Sequence, residues 1–113
     1  MKLEELTPKP IDKVQFKFAF FKSVPQINGC YVITTFDNSI LYIGLATDLN
    51  SRFKEHLNNK EKTAPTKEGK AIWFYFSAYD SRNLPKLERT WLNQYKDQHG
   101  QLPILNKVNS PVS

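Results

Sequence analysis

A carboxylate gives the first chemical signal in this sequence, because Glu88 falls within an apolar pattern. Its neighbours at helical spacing are Leu84, Leu87, Trp91 and Leu92. A carboxylate on such a face is costly unless it is paired or binds a metal ion. The alternative is a helix of slightly different phase, in which Glu88 lies solvated on the rim of the apolar face.

Arg52 and His56 form a second candidate pair on a predicted helix. Their four-residue spacing places both side chains on one side of that helix. Arginine offers a planar fork of donors that fits a phosphate, and histidine can move a proton near neutral pH. The pair therefore suits chemistry at a phosphate, and the alternative is an ordinary solvated rim.

Two tyrosines and one asparagine complete the candidates. Tyr31 and Tyr42 lie in predicted strands, and Asn106 interrupts the apolar run 104–108. Each has a structural alternative, because tyrosine is a good strand former and an amide is common in a loop. The order and spacing of all these residues along the chain carry more weight than any one of them.

A β-hairpin is predicted to hold the two tyrosines. The stretches on either side of the turn cluster 37–39 are rich in β-branched and aromatic residues. A two-residue turn or a four-residue loop there pairs Tyr31 with Gly44. The same register pairs Ile33 with Tyr42. Both tyrosines should therefore project from the same face of the sheet.

Two helices follow from apolar residues that recur at helical spacing. The first is predicted to begin after a cap at Thr47 or Asp48 and to bury one face of residues 49–57. The second should begin near Pro85 and end at Gly100. Arg52 and His56 would then lie at the border of the first helix's apolar face.

The remaining segments complete a single-domain plan. Residues 71–78 are apolar enough for a central strand, and residues 58–70 predict a mobile basic loop. Residues 1–28 are interpreted as an N-terminal lead segment that could add one extra strand or helix to the domain. Within it, the alternation of apolar residues over 14–20 predicts a short strand. Residues 29–113 form the main domain. The order β-β-α-β-α predicts an α/β (α+β) sandwich with a three-stranded, mainly antiparallel sheet flanked by helices.

The overall composition narrows the class of protein. The net charge of +5 fits an anionic partner such as nucleic acid. The single cysteine excludes an intramolecular disulfide and a cysteine-based zinc site. No apolar run approaches the ~20 residues of a spanning helix, and no secretory signal is evident. We therefore expect a cytoplasmic protein that does not interact with a membrane.

Five sequence elements follow one another in the order of a known nuclease family. They are Gly29-Cys30-Tyr31, Tyr42-Ile43-Gly44, Leu49-x-x-Arg52-x-x-x-His56, Glu88 and Asn106. Together they resemble the GIY-YIG nuclease superfamily over residues 29 to about 108. One departure is Cys30, which stands where the family has isoleucine. A small apolar side chain is tolerable there, since that position should point away from Tyr31 into the core.

This resemblance implies a divalent-metal-dependent endonuclease that hydrolyses DNA. Glu88 would hold one cation, Mg²⁺ or Mn²⁺, and Arg52 would clamp the scissile phosphate. Tyr31, Tyr42 and His56 would activate the attacking water, and the general base stays open among these three. The supporting residues would be Gly29, Gly44 and Asn106.

DNA is the partner that the resemblance implies, with specificity supplied by a protein partner or by a homodimer. The expected DNA contacts are Lys54, Lys60, Lys62, Lys67 and Lys70. Related domains occur in repair, homing, restriction and branched-DNA resolution, so the pathway stays open. One alternative is a non-cleaving nucleic-acid-binding accessory module of the same fold. Another is a small basic interaction domain. The complete set of family-type polar residues favours an active enzyme.

Overall fold

The computed structural model describes residues 1–78 and 81–108. The strands are β1 (Asp12–Gln15), β2 (Gly29–Thr34), β3 (Ile40–Ala46) and β4 (Trp73–Ala78). The α-helices are α1 (Leu49–Leu57), α2 (Lys60–Thr63), α3 (Leu84–His99) and α4 (Ile104–Val108). Short 3-10 turns cover Leu3–Glu5, Phe18–Ser23 and Ser81–Asn83.

The strands form one antiparallel sheet in the order β1-β4-β2-β3, with an apolar layer on each face. One layer contains Tyr31, Phe53 and Phe74 beneath α1. The other contains Val32 and Trp91 beneath α3. Alternate residues of β2 therefore serve opposite layers. This arrangement confirms the predicted class, an α/β (α+β) sandwich on an antiparallel sheet.

The hairpin register that aligns the two tyrosines is confirmed. Tyr31 lies opposite Gly44, and Ile33 lies opposite Tyr42. The end of the hairpin differs from the prediction, because β2 stops at Thr34, which pairs with Ile40 across a bulge. The bulge absorbs one residue of β3. Because the bulge takes up the extra residue, the loop between β2 and β3 can be longer than predicted without changing the register at the tyrosines.

The N-terminal segment differs from the strand predicted over 14–20. The strand β1 begins earlier, at Asp12, and pairs with β4 as a fourth strand of the sheet. The chain then turns into the 3-10 segment Phe18–Ser23. The fourth strand covers an edge of β4 that a three-stranded sheet would leave unpaired.

The two main helices begin and end at the predicted signals. The Asp48 side chain caps α1 by accepting a hydrogen bond of 3.0 Å from the Ser51 amide. Pro85 occupies the first turn of α3, and Gly100 ends that helix in the left-handed conformation with φ 73°. None of the described helices is long and apolar enough to cross a membrane.

The segment predicted as one loop over 58–70 contains helix α2, and the run 104–108 forms helix α4. Helix α4 carries Asn106 to the edge strand β3. The Asn106 Oδ1 accepts a hydrogen bond from the Ile43 amide at 3.0 Å, and its Nδ2 donates to the Ile43 carbonyl at 2.9 Å. The side-chain amide thus acts as a one-residue extension of the sheet beside Tyr42.

We expect Asn106→Ala to lower the free energy of unfolding by about 1–3 kcal/mol, because it leaves both Ile43 backbone groups without their partner. Urea unfolding followed by circular dichroism measures the change. Asn93→Ala is the matched control, since Asn93 is exposed on α3. Equal urea midpoints for the two variants would show that the two hydrogen bonds between Asn106 and Ile43 add nothing to stability.

Candidate active site

Tyr31 lies at the centre of the candidate site and has no exposed surface. Its hydroxyl lies 2.7 Å from Nε2 of His56. Its ring stacks on Phe74 with a centroid distance of 5.0 Å and on Tyr42 at 5.9 Å. Burial raises the pKa of Tyr31 well above 10, and the opposing influence of Arg52 is smaller. Tyr31 therefore carries its proton at neutral pH.

Gly44 makes room for this ring. A Cβ atom at Gly44 would lie 2.6 Å from the hydroxyl oxygen of Tyr31 and 2.8 Å from the Tyr42 ring. Gly29 is similarly tight, because its Cβ would lie 2.7 Å from the carbonyl oxygen of Ser77 and closer still to Leu49. Both glycines, expected as supporting residues, therefore allow a neighbouring group to approach the backbone closely.

His56 is buried on the inner side of α1, with 7% of its surface exposed. Its ring centroid lies 5.0 Å from that of Tyr42. Burial lowers its pKa to about 3, and the positive charges of Lys62 and Arg52 act in the same direction. The imidazole is therefore neutral at physiological pH and is a weak base. It can still hold the Tyr31 hydroxyl in place.

Tyr42 is the more accessible tyrosine, because it is only partly buried and lies on the edge strand β3. Burial raises its pKa, as does the charge of Glu88, whereas Tyr31 and Arg52 lower it. The cation of Lys62 also lies over its ring, 4.8 Å from the centroid. The pKa of Tyr42 therefore depends on a balance between burial, which raises it, and the neighbouring groups that lower it.

Arg52 projects from α1 toward the tyrosines with 37% of its side chain exposed. Its Nη1 donates to the Leu45 carbonyl at 3.2 Å, and its Nε lies 3.2 Å from the Glu55 carboxylate. The Leu45 bond anchors the guanidinium beside β3. An exposed pair such as Arg52–Glu55 contributes little stability and can exchange for another anion.

Glu88 belongs to the opposite layer of the sandwich, whose helix α3 packs against β3. It lies on α3, is partly buried, and interacts electrostatically with Arg52 and Tyr42. Burial raises its pKa, and Arg52 and Arg89 partly oppose that shift. The site therefore spans both faces of the sheet at β3, and it brings together all five residues predicted as catalytic.

Cys30 lies in the layer beneath α3, on the opposite side of β2 from Tyr31, as the alternation of the strand predicts. Its thiol is fully buried and donates a hydrogen bond of 3.4 Å to the Leu84 carbonyl. Burial raises its pKa to about 12. Cys30 is therefore a protonated core residue at neutral pH and is not a nucleophile.

Lys62, predicted as a DNA contact in a mobile basic loop, lies in helix α2. It has 2% of its surface exposed, and its ammonium lies over Tyr42. Burial lowers its pKa. The turn at Asn58 and Asn59 between α1 and α2 brings this side chain back to the site. That turn is tertiary in origin, so the sequence pattern carried no signal of the contact.

The other predicted DNA-binding lysines lie outside the buried cluster. Lys60, Lys67 and Lys70 are exposed. Lys54 is partly buried, and its ammonium lies 5.1 Å from the centroid of the Phe21 ring. The first three fit contact with an extended anion, and Lys54 lies on the side of α1 that faces Phe21.

The donor set fits a cation held by a single carboxylate. Among the described residues, no cluster of three or more His, Cys, Asp or Glu side chains could enclose a metal ion. Mg²⁺ is commonly held by one or two carboxylates together with waters and substrate phosphates. Glu88 is a partly buried carboxylate, and a bound cation would offset the cost of burying its charge.

The fold and the cluster at β3 define a small catalytic domain with a tyrosine pair, an arginine, a histidine and a glutamate. The family model of the GIY-YIG catalytic domain matches residues 27–101, so the chain belongs to the GIY-YIG family of nuclease domains. The match covers every predicted catalytic residue, and Asn106 lies beyond its end.

Two curated proteins share a shorter segment with this chain. The chain is 38% identical over 42 residues to UvrABC system protein C of Prochlorococcus marinus strain MIT 9312. It is 36% identical over 42 residues to the same-named protein of Prochlorococcus marinus subsp. pastoris strain CCMP1986. Each alignment covers 37% of this chain and 6% of the relative. The similarity therefore concerns only a small part of those proteins.

We expect Glu88→Gln to be more stable than the wild type at pH 7 in EDTA. The pKa of Glu88 is raised in the folded state, so ionisation of the carboxylate costs stability as the pH rises through that pKa. The difference in the free energy of unfolding between wild type and variant should narrow as the pH falls toward 4.5, the ordinary pKa of a glutamate.

Chemical unfolding at several pH values measures this difference, with Asp97→Asn as the control because Asp97 is exposed on the same helix. A Glu88→Gln variant that is less stable at pH 7 would contradict the prediction. It would mean that attraction to Arg52 and Arg89 outweighs the cost of burial.

Proposed function

We propose that this protein is a divalent-cation-dependent endonuclease that hydrolyses phosphodiester bonds in DNA. The observation that carries the proposal is the convergence of Tyr31, Tyr42, Arg52, His56 and Glu88 at one strand edge. These groups supply a phosphate clamp, a proton acceptor and a metal ligand, which are the functions that phosphodiester hydrolysis needs.

Arg52 is the proposed phosphate clamp. Its guanidinium is held beside β3 by Leu45 and remains about one-third exposed. A phosphate can replace the Glu55 carboxylate as its partner, because a charge-assisted pair with a fork of donors suits either anion. This exchange places the phosphate next to the Tyr42 hydroxyl.

Tyr42 is the proposed general base. Tyr31 is excluded from direct contact with water by its complete burial, and His56 has a pKa of about 3. Tyr42 alone of the three is partly exposed. Burial raises the pKa of Tyr42, so its phenol needs neighbouring positive charge to act as a base; Arg52 lowers that pKa, and the ammonium of Lys62 lies 4.8 Å from the ring centroid. Tyr31, itself held by His56, fixes the Tyr42 ring by stacking.

Glu88 is the proposed ligand of Mg²⁺ or Mn²⁺. When bound there, the cation would supply positive charge for the phosphate and for the leaving oxygen. Glu88 itself would supply the negative charge that holds the cation, and it interacts electrostatically with Arg52, the proposed phosphate clamp.

The substrate and the partners belong to the same proposal. DNA is the substrate, and a protein partner or a second copy of the chain supplies sequence specificity. We place the protein in the cytoplasm, where its one buried cysteine stays reduced. The alternative, a non-cleaving module of the same fold, predicts DNA binding without any metal-dependent cutting.

We expect the wild type to nick supercoiled plasmid with Mg²⁺ or Mn²⁺ and to be inactive in EDTA. Glu88→Gln should lower the rate by about 100-fold or more, because a bound cation is worth several kcal/mol in the transition state. Asp97→Asn should cut like the wild type. Plasmid binding without cutting by any of the three proteins would favour the non-cleaving module, and equal cutting by all would exclude Glu88 as the ligand.

We also expect the exposed lysines near α2 to contribute to DNA affinity. Replacing Lys60, Lys67 and Lys70 with glutamine should flatten the plot of log affinity against log salt by up to about 2.7, from 0.9 for each lost phosphate contact. The control triple replaces Lys9, Lys86 and Lys96, which are also exposed. An identical slope for the two triple variants would refute the assignment.

A further inference from the structure

One exposed aromatic surface lies next to α1 and has no part in the cluster at β3. We call residues 17–22 the aromatic ledge; their sequence is Lys-Phe-Ala-Phe-Phe-Lys. Phe18 is 56% exposed and Phe20 is 38% exposed, and both flanking lysines are exposed. Large apolar side chains on a folded surface often mark a binding site when they cluster.

We propose that the aromatic ledge binds unpaired bases of a nucleic-acid strand that also places a phosphate, a few nucleotides away, at Arg52. This inference rests on the proposed nuclease function and deepens it. It names the substrate class as DNA with a single-stranded segment beside the cleaved bond.

The ledge is a fixed part of the fold. The buried amide of Asn50 donates hydrogen bonds to the carbonyls of Phe21 at 2.7 Å and Val24 at 2.8 Å. Phe18 and Phe21 contact each other with a ring-centroid distance of 5.0 Å. A surface held in this way presents its rings without a large ordering cost on binding.

The position of the ledge relative to the site follows from helix geometry. Asn50 and Lys54 contact the ledge from one side of α1, whereas Arg52 and His56 face the tyrosines from the other. Residues two apart on a helix point in nearly opposite directions. A strand that passes around α1, a helix about 10 Å wide, would follow a path of roughly 16 Å, which a few nucleotides can span, to reach from Arg52 to the ledge.

Charge and shape favour nucleic acid over an apolar protein partner. Lys17 and Lys22 flank the exposed rings, and Lys54 lies over Phe21. Cations that alternate with aromatic rings match the alternation of phosphates and bases in a single strand. Bases in a duplex already stack on one another. Only unpaired bases therefore offer free faces to Phe18 and Phe20.

The experiment measures binding in EDTA by fluorescence anisotropy, with a labelled 20-nucleotide single strand and its duplex as probes. Phe18→Ala/Phe20→Ala should weaken single-strand binding by at least about fivefold for each ring lost, with little change for the duplex. Phe18→Tyr/Phe20→Tyr should restore binding, because tyrosine also stacks. Phe36→Ala is the matched control, since Phe36 is 76% exposed in the hairpin loop and lies outside the ledge.

Each outcome separates this inference from the proposed function. Unchanged single-strand binding by the alanine pair, or an equal loss for both probes, would overturn the role of the ledge while leaving the nuclease proposal in place. A wild type that binds neither probe and cuts no plasmid would overturn the nuclease function itself. Circular dichroism of each variant confirms that the comparison is between folded proteins.

Discussion

The close approach of Gly44 to Tyr31 is the contact on which the rest of the site depends. A side chain at Gly44 would occupy the space of the Tyr31 hydroxyl, so the strand pairing and the tyrosine ring fit only as they stand. Because this ring is fixed between Phe74 and Tyr42, its hydroxyl reaches His56 on α1. A glycine in an edge strand thus determines how strand and helix meet.

The edge strand β3 is also where the two layers of the sandwich come together. Arg52 approaches it from α1, Glu88 approaches from α3, and the Asn106 amide holds its outer side from α4. An edge strand suits such a site, because it leaves backbone groups and one flank open. The amide of Asn106 occupies part of that edge and keeps the strand from pairing elsewhere.

Burial gives chemically similar groups different roles within this site. Complete burial keeps Tyr31 protonated, and it lowers the pKa of His56 to about 3. Tyr42, at the accessible edge, is left as the group able to exchange protons with water. The charges of Lys62 and Glu88 are both disfavoured by burial. Keeping them there costs stability, which is common where a polar cluster serves catalysis.

Local sequence determined much of this protein: the register of the tyrosine hairpin, the Asp48 cap, and the ends of α3 at Pro85 and Gly100. These follow from periodicity and turn chemistry within short stretches. Tertiary structure alone decided that β1 joins the sheet, that Asn106 pairs with Ile43, and that Lys62 returns to Tyr42. Each of these contacts joins residues from separate elements, and no local pattern encodes the free energy of such long-range packing.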